Sequence, residues 1–210
     1  MKNFISLTIG ILLLAACQRG PSQSTPPCRA RHFAQDCLAK GNQHYEAEQY
    51  ADATRLYGQA LVAVPHLVEA WFNRGNARFK AGDYAGAIAD FTQALRLDPE
   101  LADAYYNLAT TRFDAGDYAG AVTDYTNALR LSPSRIDAYY NRGAAYYKLQ
   151  KFRKALADFD RVIAARPALS TAYNYRSKTR YALGDRTGAV ADYRISLRLM
   201  PAQAVYVRQD

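Results

Sequence analysis

The chain is poor in the residues from which most catalytic sites are built. Of its 210 residues three are histidine (His32, His44 and His66), three are cysteine, and all six lie in the first third. No GxxxxGK[ST] phosphate loop, HExxH zinc motif, GxSxG nucleophile elbow or GxGxxG dinucleotide turn occurs anywhere in it. The histidines have no acid or base partner at a telling spacing, and His32 with Cys28 and Cys37 is too irregular a set for a metal site. The expectation is a protein that is not an enzyme and needs neither metal nor cofactor. Long apolar runs are missing too. The one candidate, Phe4 to Leu14, would span about 16 Å as a helix against a hydrocarbon core of about 30 Å, which excludes a transmembrane helix there.

Half the residues are hydrophobic, 17 are tyrosine and only eight are proline, a composition suited to a folded, mostly helical chain. The formal charge of +8 is unevenly distributed. Residues 1–135 carry 13 Lys/Arg and 13 Asp/Glu, whereas residues 136–210 carry 14 against 6. A basic final third suits an acidic partner surface or an anionic polymer.

The first residues, "MKNFISLTIGILLLAAC", pair one early lysine with an apolar stretch too short to span, which reads as a signal peptide over residues 1–16. An ordinary cleavage after Ala16 would put Leu14 at the −3 position, where a small residue is wanted. Leu14-Ala15-Ala16-Cys17 instead resembles the lipobox of bacterial lipoproteins. The resemblance implies that the Cys17 thiol carries a diacylglyceryl thioether and that the new amine is acylated as well, and two or more acyl chains anchor stably where one does not. A secreted protein with an incidental cysteine is the alternative. Gln18 is not the aspartate that favours inner-membrane retention, so in a Gram-negative envelope the resemblance implies an outer-membrane lipoprotein facing the periplasm, away from nucleic acid. "QRGPSQSTPP" then reads as a flexible tether within residues 17–33.

Cys28 and Cys37 form a disulfide only under one geometry. On one continuous helix, nine residues apart, they would be separated by about 13.5 Å, beyond reach. If the helix begins near Phe33, Cys28 can fold back onto its first turn, and an oxidising compartment favours the bridge. The bridged form is the expectation.

From residue 34 the chain repeats itself. "AGDYAGA" stands at 81–87 and again at 115–121, and prolines recur at 65, 99, 133, 167 and 201, each 34 after the last. Small residues recur at Gly41, Gly75, Ala109, Gly143 and Ser177, and aromatics at Tyr57, Phe91, Tyr125, Phe159 and Tyr193. Each unit holds two stretches of helical period. Between them Gly82 or Gly116 can end the first helix in a left-handed conformation and Asp83 or Asp117 can cap the second. The small columns sit where two antiparallel helices approach closely.

These units, above all "AWFNRGNARFKAGDYAGAIADFTQALRLDP" at 70–99, resemble the tetratricopeptide repeat family through Trp71, Gly75, Tyr84, Ala87, Phe91, Ala94 and Pro99. The resemblance implies an all-α, right-handed solenoid of five 34-residue helix-turn-helix repeats at 34–67, 68–101, 102–135, 136–169 and 170–203, with a tail at 204–210. Cys37 replaces the usual Trp or Tyr in the first unit, Gln150 the turn glycine in the fourth, and Arg186 the turn tyrosine in the fifth. A full capping helix after the last unit is not apparent, so part of its apolar face is expected to be left for a partner, a second copy included.

In that family the first helix of each unit lines a concave groove. Positions 5, 9 and 12 of a unit share a face, which places Phe72, Asn76 and Phe79, then Tyr106 and Phe113, then Tyr140 and Tyr147 along it, with Asn73, Asn107 and Asn141 beside them. Aromatic rings and spaced amides suit a peptide or protein segment; the competing reading is that the rings pack between repeats and the amides bond across them. The carboxylate clamp of chaperone-binding relatives is absent, since Asp103 and Asp137 stand where it needs cations. The expectation is therefore a non-catalytic, lipid-anchored adaptor of the cell envelope that binds an envelope protein, acidic in character, in its groove. The alternatives are a binder of anionic wall or outer-membrane polymer through the basic repeats, and a self-assembling structural lipoprotein.

Overall fold

The structure, a computed structural model, describes residues 28–200. Among these residues ten helices follow one another with no strand: α1 (Cys28–Glu46), α2 (Tyr50–Ala63), α3 (Val68–Lys80), α4 (Tyr84–Leu97), α5 (Ala102–Asp114), α6 (Tyr118–Leu131), α7 (Ile136–Lys148), α8 (Phe152–Ala165), α9 (Ser170–Ala182) and α10 (Arg186–Leu199). Each packs on its chain neighbours, and the odd-numbered helices also touch one another in succession. The odd helices therefore form one layer and the even helices the other, as in a solenoid of hairpins. None of the described helices is long and apolar enough to cross a membrane.

The turns show why the pairs fold as they do. Gly82, Gly116 and Gly184 take φ of 82°, 87° and 87°, the left-handed conformation that reverses the chain after a helix. Asp83 N then donates to Arg78 O at 2.9 Å, and the Asp83 side chain accepts from Gly86 N at 2.9 Å. Asp117 and Asp185 cap Gly120 and Gly188 in the same way. The fourth unit lacks both devices. Gln150 holds the left-handed position at φ 57°, and Lys151 at the N-cap of α8 offers no side-chain acceptor.

Inside each pair the small residues let the helices meet. Ala53, Ala87, Ala121 and Ala155 are fully buried, as are Ala60, Ala94 and Ala128, with Val162 and Ser196 continuing the second column. A Cβ on Gly75 would lie 2.8 Å from Phe91 Cε1, so that ring seats only because glycine is there. The aromatics facing the small column, Tyr57, Phe91, Tyr125 and Phe159, are at most 1% exposed.

Two expectations are corrected at the N-terminal end. The tether does not run to residue 33, because α1 already begins at Cys28. Cys28 and Cys37 therefore share one continuous helix, about 13.5 Å apart along its axis, and cannot be bridged. Cys37 is a free, buried thiol whose Sγ lies 3.9 Å from Gln59 Oε1, and burial raises its pKa. The Leu14–Cys17 lipobox, Gln18 and the tail at 204–210 lie outside the described residues.

Candidate binding groove

The predicted groove residues all lie on the odd helices, and every one is half-buried. Each ring is tied to the second helix of its own unit. Phe72, Tyr106 and Tyr140 pack on Phe91, Tyr125 and Phe159 with centroids 5.9, 5.7 and 6.1 Å apart. Phe79, Phe113 and Tyr147 pack on Tyr84, Tyr118 and Phe152 at 5.8, 5.2 and 5.6 Å. The aromatic row is thus both filler between the two layers and wall of the inner face, a rigid surface with its rotamers already fixed.

The asparagines join the repeats. Asn73 Nδ2 donates to Asn42 Oδ1 at 3.1 Å and Asn107 Nδ2 to Asn76 Oδ1 at 2.7 Å, each across a repeat boundary. Asn141 Nδ2 donates to the Tyr106 hydroxyl at 2.9 Å. Arg135 stacks over the Tyr106 ring at 4.0 Å from its centroid while pairing with Asp103. Tyr106 is consequently well covered, and burial raises its pKa, as it does for Tyr140. Burial also pushes Tyr57 up to about 12. These hydroxyls stay protonated at neutral pH and serve as hydrogen-bonding groups.

Three clefts open along this surface. The first, about 240 Å³, lies between Asn42, Tyr45, Glu46, Asn73 and Asn76. A second, about 300 Å³, brings together Asn76, Phe79, Lys80, Tyr106, Asn107 and Thr110. The third, about 410 Å³ and mostly apolar, is bounded by Tyr147, Lys178, Tyr181, Val190 and Tyr193 at the last unit. Phe72, Phe113, Tyr140 and Asn141 line none of the three. Among the described residues no three His, Cys, Asp or Glu side chains are placed to share a metal ion.

Behind the groove runs a feature that the residue pattern contained but that reads, residue by residue, as a solvated face. Asp90, Asp124, Asp158 and Asp192, again 34 apart, are buried between the helices of their units. Arg74 grips both oxygens of Asp90 through Nε and Nη2 at 2.9 and 2.7 Å, and Arg142 and Arg176 do the same for Asp158 and Asp192 at 2.7–2.8 Å. Arg78 and Arg180 add second contacts to Asp90 and Asp192. Bidentate pairs of this kind fix the angle between the two helices of a unit, and hence the groove they line. The signal was an arginine 16 residues before each aspartate, lost in the third unit, where Leu108 takes its place.

Comparison with known proteins bears on the same features. A profile described as TPR repeat matches residues 75–113 and 110–150, and one described as tetratricopeptide repeat matches residues 136–168. The fold is a helical solenoid of tetratricopeptide repeats. No curated protein matches the chain by sequence. Among solved structures it superposes on a MamA protein with a TM-score of 0.77 at 24% identity, covering 85% of this chain and 97% of that one. A MamA fragment from Desulfovibrio magneticus RS-1 gives 0.77 at 17% identity, over 84% and 98% of the two chains. YrrB, described as a TPR protein with an unusual peptide-binding site, gives 0.74 at 20% identity, over 80% and 87%. The TPR solenoid therefore accounts for the helix order and register set out above.

Proposed function

We propose that this protein is a lipid-anchored interaction scaffold of the bacterial envelope, holding a peptide or protein segment against the inner face of its solenoid. The observation that carries the reading is the cleft formed by Asn76, Phe79, Lys80, Tyr106 and Asn107. It joins two repeats, its walls are preorganised by ring packing and the Asn107–Asn76 bond, and it offers aromatic area beside amide groups, the combination that recognises a segment by shape and backbone hydrogen bonds. YrrB, with its peptide-binding site on a like solenoid, supports the same use of the fold. Lipid attachment at Cys17, an outer-membrane position facing the periplasm, and an acidic partner complete the proposal; the lipobox sequence and the basic final third support them.

Site-specific photocrosslinking in cells tests it. A probe at Lys80, the exposed lip of that cleft, is expected to capture one discrete envelope protein, while a probe at exposed Ala119 at the start of α6 captures none. The same adducts from both positions, or adducts to the protein's own chain alone, would overturn the groove reading.

A further inference from the structure

The third cleft differs in kind from the other two. In the first four units the aromatic at the end of the packing column is covered by the first helix of the following unit. Phe159 shows how: Tyr175 of α9 stacks on it at 5.5 Å with an interplanar angle of 26°. In the fifth unit the equivalent Tyr193 is 49% exposed, and Val190, Leu197 and Tyr181 are open around it. The cleft of about 410 Å³ is thus the seat of a helix that the described residues do not supply.

Charge in that seat says what fills it. At the last two internal boundaries, the residue after the column aromatic receives an arginine from the incoming helix; at the first that residue is Gly58, and at the second Leu108 replaces the arginine. Thr126 accepts from Arg142 Nη1 at 3.1 Å, and Asp160 from Arg176 Nη1 at 2.8 Å. Thirty-four residues beyond Asp160 stands Arg194. The last seat carries a cation where the two before it accept one. Among the described residues every aspartate from Asp137 onward is already paired with an arginine, whereas Arg194 and Lys178 have no ionic partner.

We propose that the last repeat is a docking seat for an amphipathic helix of another protein, one that brings a small residue for close approach and a carboxylate to meet Arg194. The small residue is required because Ala70, Ala104, Ala138 and Ala172, which occupy that point of the internal first helices, are all fully buried. Thirty-four residues after Ala172 the sequence has Tyr206, which breaks the small-residue column that the internal first helices keep. A second copy entering through α1 would bring Lys40 to Arg194, cation against cation. A foreign acidic helix meets neither obstacle. This seat lies at the last unit, away from the Asn76–Tyr106 cleft that carries the proposed function, and its test leaves the reading of that cleft untouched.

A hydrocarbon-stapled peptide of residues 170–182 serves as probe, in its own sequence and with Arg176→Glu. Each is titrated into the full chain carrying 3-fluorotyrosine at position 193 and followed by ¹⁹F resonance. The Glu peptide is expected to shift the Tyr193 signal and to bind at least tenfold more tightly than the Arg peptide, and Arg194→Glu, an exposed change that should leave the melting temperature alone, is expected to reverse that order. Equal affinities, no shift at Tyr193, or no reversal would overturn the proposal. So would nuclear Overhauser contacts from Tyr206 to Tyr193 in the free chain, a concentration-dependent dimer abolished by Tyr193→Glu, or heparin, an acidic polymer without an apolar face, shifting Tyr193 as the peptide does.

Discussion

Arg112 Nη1 stands 3.0 Å from Asp124 Oδ2, yet out of line for a hydrogen bond, so this buried oxygen accepts none. Asp158, its equivalent one unit on, takes two bonds from Arg142 at 2.8 Å. Burial, opposed only in part by Arg112, pushes the Asp124 carboxyl from 3.8 up to about 6. An acid raised in the folded state destabilises it once ionised. Below about pH 4 both states hold the proton and nothing is lost; between about pH 4 and 6 stability falls as pH rises; above that the loss is complete, roughly 3 kcal/mol. Asp124→Asn is expected to remove this slope in urea unfolding measured from pH 4 to 7. An unchanged slope would contradict the assignment.

Asp158→Ala is expected to do the opposite. It leaves the half-buried Arg142 guanidinium without its bidentate partner, at a cost of about 3 kcal/mol. Loss of under about 1 kcal/mol by denaturant melting would show the pair to be dispensable.

Gly75 and Phe91 give a steric prediction. Gly75→Val forces the ring or the helix to shift, and about 2 kcal/mol of stability is expected to go with it. The same change at Gly58, where a Cβ meets nothing nearer than Arg74 Nη1 at 3.6 Å, should be far milder. Comparable melting temperatures for the two variants would refute the close-approach account.

The fourth turn should be improvable. Gln150→Gly relieves a left-handed residue and Lys151→Asp supplies the missing cap, each adding about 1 kcal/mol. Asp117→Ala should lose about as much from the third unit. Both signs can be read from a single set of thermal melts.

Cys17→Ser is expected to abolish metabolic labelling by palmitate and release the protein from membranes. Retention of the variant in the membrane fraction would end the lipobox reading. Cys37, unbridged and buried, should react with iodoacetamide only after unfolding.

How far the residues themselves disclosed this architecture differs from place to place. The left-handed turns at Gly82 and Gly116 and the caps at Asp83 and Asp117 were legible because each is a local demand met by one residue type. The start of α1 was obscured by reading "CRARHF" as tether, although Arg29, Ala30 and Arg31 are good helix formers. The asparagine bonds were harder to see, since Asn42 to Asn73 and Asn76 to Asn107 are 31 residues apart and link two different columns. The Tyr193 seat was half visible, in the apolar face of the last unit; its charge preference rests on Arg142 and Arg176 reaching back across their boundaries.

The most direct test of the scaffold account uses peptides selected by display against the full chain and titrated by NMR. The account predicts that they perturb the amide signals of Asn76, Phe79, Tyr106 and Asn107, and that Lys80→Glu weakens acidic ones at least fivefold without lowering the melting temperature. Perturbations confined to the even-numbered helices, or no selected peptide that binds, would contradict it.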